Sequence, residues 1–414
     1  MTDSGRNHDA DQAGAAFAAA QVRARRAWRR YLIVIAVVVV VLGAAVLRIV
    51  QTSEIEAVSM KTTRQAAKTL PTGVVPATLS AAWTTSDHTA VGNPSWNDVV
   101  ITYSQRSVTG RDASTGTIRW QYTRKDRLLC TVDAQDGIAI AIYAHDGLCD
   151  EVTGLNAVSG QRSWSRTLLG TADADQLAVS SSPGYLLISM PDSVELLQPG
   201  SGLDFWYNPQ NTGCTTISAV LGTGVGATVK SVPETGGVLA ANRCASGDTL
   251  ALYILGNIPT GGTSTVWSIP RAGQTPLSVD GKAVALGSGG RTLNQLDSNS
   301  GAVTEATPLR VALKGSTRPL AVPVSNSSTE LATVSGAIIA FDSSGLLWQR
   351  SGRVLPRSSP SGLLTSDTSV VITLDPNTGT TTQRRSAAGL AGTSIVFQLG
   401  LGVIAAGATT TVYR

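Results

Sequence analysis

The sequence predicts an all-β protein, a seven-bladed β-propeller with eight blades as the alternative, preceded by one transmembrane α-helix. Three observations lead there: a turn motif that recurs along the chain, strand-length runs without helical periodicity, and one long apolar run beside a cluster of arginines. The motif is clearest in VTGRDASTGTIRW, Val108 to Trp120, and returns 44 residues later as VTGLNAVSGQRSW, Val152 to Trp164. Fainter copies end at Trp206 and Trp348 and surround Asp297–Gly301 and Asp375–Gly379. Repeats of this period belong to arrays and propellers.

Each motif reads as a hairpin. The residue that opens it, Asp112, Asn156, Asp297, Asp342 or Asp375, accepts hydrogen bonds from backbone amides just downstream. The glycine that ends it, Gly116, Gly160, Gly202, Gly301, Gly345 or Gly379, takes a positive φ without a steric penalty. The tryptophan on the returning strand (Trp120, Trp164, Trp206, Trp348) is placed to pack one sheet against the next. Between the turns lie runs such as GIAIAIYAHD, GYLLISM and SVVITL, short and apolar, as strands require. Adding an irregular turn near Gly261, before Trp267, gives seven units of about 47 residues, the size of a four-stranded blade. The C-terminal stretch 392–414 is expected to pair with material around Trp83 to Ser104 and close the ring without a free edge.

The amino-terminal part carries an address. Residues 1–30 form an Arg-rich cytoplasmic tail, and 31–50 a transmembrane signal anchor: Tyr31 to Leu47 holds no charge, and the whole run spans about 30 Å as a helix. Arg25, Arg26, Arg29 and Arg30 on its amino side keep that end in the cytoplasm and send the rest across the membrane. A cleaved export signal is the rival reading, but the apolar run is longer than a signal-peptide core. Residues 51–80, with mixed charge and prolines at 71 and 76, read as an extracytoplasmic stalk, and 81–414 as the propeller domain.

The pattern Asp112-Ala-x-Thr-Gly116-x-x-x-Trp120 resembles the repeat of the pyrroloquinoline-quinone-type, or quinoprotein-like, propellers. That resemblance covers most of residues 83–414 and implies the propeller fold. The family holds quinone-dependent dehydrogenases and also non-enzymatic exported propellers, including an envelope lipoprotein that assists outer-membrane protein assembly. An enzyme of this type is expected to carry adjacent cysteines, and none occur here.

Cys130, Cys149, Cys214 and Cys244 all lie on the exported side, where an even count reads as two disulfides. Their positions predict Cys130 with Cys149 and Cys214 with Cys244, each bridge within one blade. Zinc is the weaker reading, because no Cys-x-x-Cys occurs.

Charge and chemistry narrow the function. The first 50 residues hold seven arginines and three acids, so the net charge of +4 resides there and the remainder is neutral. A basic face for nucleic acid is therefore not expected. Only His88 and His145 lie beyond the membrane segment, and no nucleophile has an evident partner in sequence. The expected function is a non-catalytic platform in the cell envelope for a protein or polymer, with no cofactor and no metal. A quinone-dependent envelope enzyme and a sensor signalling through the transmembrane helix are the alternatives.

Overall fold

Strands such as Gly237–Cys244 and Ala337–Asp342 bury nearly every residue, as strands do when sheets cover both of their faces. The computed structural model describes residues 57–414 apart from 72, 183, 211–212, 223–236, 255–263, 280–281, 311–319, 324–329, 335–336, 343, 353, 355, 360–361 and 393, together with 35 and 38–42. Residues 59–414 form one unit and residues 1–58 another.

The described residues of the larger unit make eight sheets, each a blade. Blade 1 holds Val99–Tyr103, Ser107–Asp112 and Ile118–Arg124, with His88–Thr89 and Ser95–Trp96 on its inner side and Val58–Lys61 at its outer edge. Blade 2 runs Leu128–Gln135, Ile138–His145, Leu148–Asn156 and Arg162–Ala172, and Val91–Gly92 lies parallel to its first strand. Blade 3 spans Ala178–Ser182 to Asp204–Pro209, blade 4 Cys214–Leu221 to Ser264–Pro270, blade 5 Thr275–Ser278 to Val303–Pro308, and blade 6 Leu320–Pro323 to Gly345–Ser351. Blade 7 runs from Arg357–Ser359 to Thr381–Ala387, and Thr78–Leu79 pairs in parallel with its last strand. Within each blade consecutive strands are antiparallel neighbours, the first innermost and the last outermost.

Blade 8 corrects the expected number from seven to eight. Three of its strands, Ile395–Leu399, Gly402–Ala406 and Thr410–Tyr413, come from the C-terminus, and the outermost, Ala81–Thr85, comes from the other end of the propeller sequence. Its third and fourth strands, Thr410–Tyr413 and Ala81–Thr85, come from opposite ends of the sequence, so no turn joins them at the place where blade 1 carries its Asp…Gly motif. Counting turns by that signature therefore misses a blade divided between the two ends of the repeat region. The expected closure of the C-terminal strands onto the Trp83 region is what the structure shows.

The core is distributed rather than central. One buried cluster joins Leu187, Val194 and Leu196 of blade 3 to Val238 and Ala240 of blade 4. Another joins Val100 and Ala113 of blade 1 to Ile404 and Val412 of blade 8. Comparable clusters link blades 2 and 3, 4 and 5, 5 and 6, 6 and 7, and 7 and 8. Asp136-Gly137 and Asp146-Gly147, at φ of 51° and 76° and of 51° and 88°, make the two-residue turns that join the strands of blade 2.

Residues 59–80 run along the ring. The Thr63 N–H donates to the Ser159 carbonyl of blade 2, and the Lys68 N–H to Asp98 of blade 1. Gln398 of blade 8 donates to the Gly73 carbonyl, and Arg385 of blade 7 to that of Val75, whose side chain is buried. The predicted membrane segment lies largely outside the described residues. Ile35 and Val38 to Leu42 are helical and exposed, and among the described residues no helix is long and apolar enough to cross a membrane.

Both disulfides form as expected and each stays within one blade. They are not equivalent. Cys214 and Cys244 face one another directly on the first two strands of blade 4, whereas Cys130 and Cys149 sit at bulges on the first and third strands of blade 2. Closing 30 residues, the Cys214–Cys244 bridge stabilises by about 3 kcal/mol through the entropy of the unfolded chain. A Cys214→Ser, Cys244→Ser double variant is expected to lose about that much in urea titrations.

Candidate functional site

The motif residues come together between blades. The Asp112 carboxylate accepts from the backbone N–H groups of Ser114 and Thr115, and Asn156, Asp297 and Asp375 accept from the two equivalent amides of their own turns. Asp342 accepts from Ser344, and Gln198 opens the turn of blade 3 in place of an acid. Gly116, Gly160, Gly202, Gly301, Gly345 and Gly379 all have positive φ. The turn expected near Gly261 lies outside the described residues.

Each indole then reaches into the following blade. Trp120 donates from Nε1 to the Ala157 carbonyl at 2.9 Å, Trp164 to that of Pro199 at 2.8 Å, and Trp348 to that of Pro376 at 2.8 Å. Every acceptor is the residue just after the one that opens the turn. The ring of each tryptophan lies over the turn glycine: a Cβ on Gly160 would sit 2.6 Å from Trp120, and one on Gly379 2.5 Å from Trp348. Gly202 meets Trp164 in the same way. Trp206, whose facing turn is outside the described residues, packs on Tyr253 of blade 4 with ring centroids 5.5 Å apart.

Two further tryptophans join this set. Trp267 donates to the Ser298 carbonyl and covers Gly301. Trp83 donates to the Ala113 carbonyl and covers Gly116, so the outer strand of blade 8 locks onto blade 1 by the same contact that Trp120 makes with blade 2. At the matching position of blade 5 stands Glu305, 3.8 Å from where a Gly345 Cβ would lie.

Sequence reasoning missed the supports of this lock. The glycine of each Val-Thr-Gly, Gly110 and Gly154, leaves room for the indole across the strand pair, where a Cβ would collide with Trp120 or Trp164. Two residues after a tryptophan, Arg166 and Arg350 donate to the carbonyls of Gly202 and Gly379 in the next blade. A Trp-x-Arg spacing repeated at 164–166 and 348–350 was the available signal.

The charges of blades 1 and 2 are likewise spent on structure. Arg119 pairs with Asp98 at 2.5 Å and also with Asp112, and Arg124, fully buried, pairs with Asp126 and Glu151. Burial pushes Asp112 upward, but hydrogen bonds from Ser114 and Arg119 outweigh it and hold the carboxyl well below the usual range. That turn acid is thus committed to its turn and to Arg119. Among the described residues, no three His, Cys, Asp or Glu side chains converge as a metal site would require.

Between blades 2 and 3, the buried Glu195 accepts from the backbone N–H groups of Leu169 and Gly170 at 2.5 and 3.0 Å. Burial raises its pKa to about 7, against the lowering effect of those two hydrogen bonds.

The lock and this carboxyl make separate predictions. Gly160→Ala and Gly147→Ala both place a side chain at positive φ, but only Gly160 faces an indole, and nothing lies within 4 Å of a Cβ on Gly147. Both variants are expected to lose about 1 kcal/mol from backbone strain, and Gly160→Ala a further ~1–3 kcal/mol from overpacking, read as the difference in thermal melting. Between about pH 4.5 and 7 the folded protein keeps a proton on Glu195 that the unfolded chain releases, so stability falls as pH rises through that window. Glu195→Gln is expected to flatten this decline by ~3 kcal/mol at most, measured by urea titration at pH 5 and pH 8. Asp133, raised to about 7 by burial, contributes a decline of the same sign.

No family model matches this sequence, and no curated protein matches it. Solved structures do. The computationally designed Ika8 protein is 11% identical, with a TM-score of 0.51 over 82% of this chain and 100% of that one. BamB from Moraxella catarrhalis is 16% identical, with a TM-score of 0.48 over 81% of this chain and 99% of that one. Sqt1 from Saccharomyces cerevisiae is 11% identical, with a TM-score of 0.49 over 84% and 99%. At these identities the likeness is one of fold, a β-propeller.

Proposed function

We propose that this protein is a membrane-anchored propeller of the quinoprotein-like type whose ring, on the extracytoplasmic side of the cell membrane, serves as a non-catalytic interaction platform for an envelope protein or polymer. The observation that carries this reading is the use of the repeat motif. Its acids form turns, its glycines receive indoles, and its tryptophans bind one blade to the next. What such a ring presents to a partner is a set of loops on two rigid faces, an arrangement suited to binding.

The two disulfides support an oxidising compartment. The apolar run at 31–50 behind Arg25, Arg26, Arg29 and Arg30 supports an uncleaved anchor with the amino terminus in the cytoplasm. Two measurements on the full chain purified from its membranes test the reading. Mass analysis and absorbance are expected to show no bound quinone and no stoichiometric calcium, and either one would transfer the protein to the enzyme reading. Carbonate washing is expected to leave the full chain in the membrane fraction and to release a chain lacking residues 1–50; equal release of both would overturn the anchor.

A further inference from the structure

Among the described tryptophans of the ring, Trp96 alone is exposed, at 39%. It ends the short inner strand Ser95–Trp96 of blade 1, which pairs with Val99–Tyr103 through the two-residue turn Asn97-Asp98. Three atoms of its indole, Cε2, Nε1 and Cζ2, lie 3.1 to 3.4 Å from where a Cβ on Gly137 would stand. The ring therefore lies flat on the turn between the first two strands of blade 2, and its other face meets solvent. The Gly137 carbonyl accepts from the Ala157 N–H, so this turn adjoins the one that Trp120 grips, on the same face of the propeller and nearer the axis. Trp96 thus repeats the contact of indole over glycine but leaves it unclasped. Trp83, Trp120, Trp164, Trp267 and Trp348 each donate to a carbonyl, whereas the Trp96 Nε1–H has no acceptor among the described residues.

Its surroundings are polar and held in place. Asn97 follows it in the tight turn at φ of 53°, and the Asn93 N–H donates to the Ala134 carbonyl of blade 2. Both are exposed, and neither carboxamide has a partner among the described residues. Asp136, just before Gly137, is exposed as well, and the Gly184 N–H of blade 3 donates to its Oδ2 at 2.7 Å, which fixes the carboxylate and leaves it room to accept more. An open aromatic face bordered by idle hydrogen-bonding groups suits a ligand that is apolar on its face and polar at its rim. A pyranose with equatorial substituents is such a ligand, with C–H bonds on both faces and hydroxyls around the edge. A protein anchor would be met by an apolar surround, and here only Val91 joins Trp96 as an exposed apolar side chain of the segment 91–97. Recognition of a quaternary ammonium uses a cage of several rings, and no second aromatic ring pairs with Trp96 among the described residues. The charge at this place is that of Asp136, which repels an acidic chain.

We propose that this face of the ring binds a neutral, β-1,4-linked polysaccharide chain, one sugar of which stacks on Trp96 while Asn93, Asn97 and Asp136 take hydrogen bonds from and give them to its hydroxyls. The proposal rests on the platform reading and names its polymer. A chain is the occupant rather than a free sugar because the platform touches one face of one ring, a small contact, and a chain offers it many equivalent rings at once. Three blades build the site: blade 1 supplies the indole, blade 2 the turn beneath it with Asp136, and blade 3 the amide that orients Asp136.

Isothermal titration of the purified full chain with cellohexaose and chitohexaose tests the proposal, with glucose as the free sugar and polygalacturonate as the acidic chain. At least one hexamer is expected to bind, glucose about tenfold more weakly, and polygalacturonate not at all. Trp96→Ala is expected to weaken hexamer binding by about tenfold or more while melting cooperatively near the wild type, and Trp96→Phe to keep most of the affinity. Asn97→Gly, which suits the positive φ, is expected to weaken binding several-fold. Binding of neither hexamer, unchanged binding in Trp96→Ala, glucose as tight as the hexamers, or polygalacturonate bound in their place would each overturn the proposal. Failure of both hexamers leaves the platform reading standing, since a protein partner still fits it. Release of reducing ends from a bound hexamer would instead overturn the non-catalytic platform and leave the sugar site in place.

Discussion

Five seams of this ring depend on an indole of one blade lying over the turn glycine of the next. The contact combines the burial of a large apolar ring with one directed hydrogen bond to a carbonyl, and neither works unless the glycine beneath carries no side chain. The acceptor is in each case the residue just inside the turn. A propeller assembled this way has no single core. Its stability is shared among seams, each a small hydrophobic cluster, and five of them add the hydrogen bond of the indole at the rim. Truncating one of these indoles removes both halves of the clasp, in the range of about 3–5 kcal/mol known for buried tryptophans.

The seams are similar but not identical, and the differences follow from local chemistry. Blade 5 places Glu305, and blade 7 Gln383, where the other blades place tryptophan, and Glu305 stands opposite Gly345 and close to Gln295. Blades 2 and 3 add Glu195, whose carboxyl gathers two amides from the long outer strand of blade 2. Blades 1 and 2 add the buried Arg124 with Glu151 and Asp126 and stack Arg124 on Tyr143, an arrangement that satisfies an otherwise costly buried cation. The Cys130–Cys149 bridge adds a covalent tie within blade 2.

The fold was largely legible in the sequence because its turns are built by short-range rules. Asp112 and Gly116 are four residues apart, and so are Asn156 and Gly160, so the hydrogen bonds that shape those turns are written locally. The pairing of four cysteines was legible for a similar reason, since each bridge spans neighbouring parts of a single sheet. The eighth blade was not legible as a unit, because its outer strand and its other three are supplied from opposite ends of the ring sequence. Gly110 and Gly154 looked like ordinary strand glycines; their role appears only once Trp120 and Trp164 are seen across the strand pair.

Closure by Ala81–Thr85 carries a consequence for the order in which the molecule is made. The Ser80 hydroxyl meets the Arg414 carbonyl, a contact between positions 334 apart, and the neighbouring strands zip together only when both ends are present. A chain emerging from its amino end thus holds its first outer strand without a partner until the last strand is complete. Blades 3 to 6 are built from contiguous sequence, whereas the closure of blade 8 is a single long-range step with a high entropic cost. Until then two strand edges lie open, and that interval is when the protein is most exposed to misassembly. The strands Val58–Lys61 and Thr78–Leu79, emerging before any blade, find their partners on blades 1 and 7, so the leading segment spans the gap that the last strands must fill.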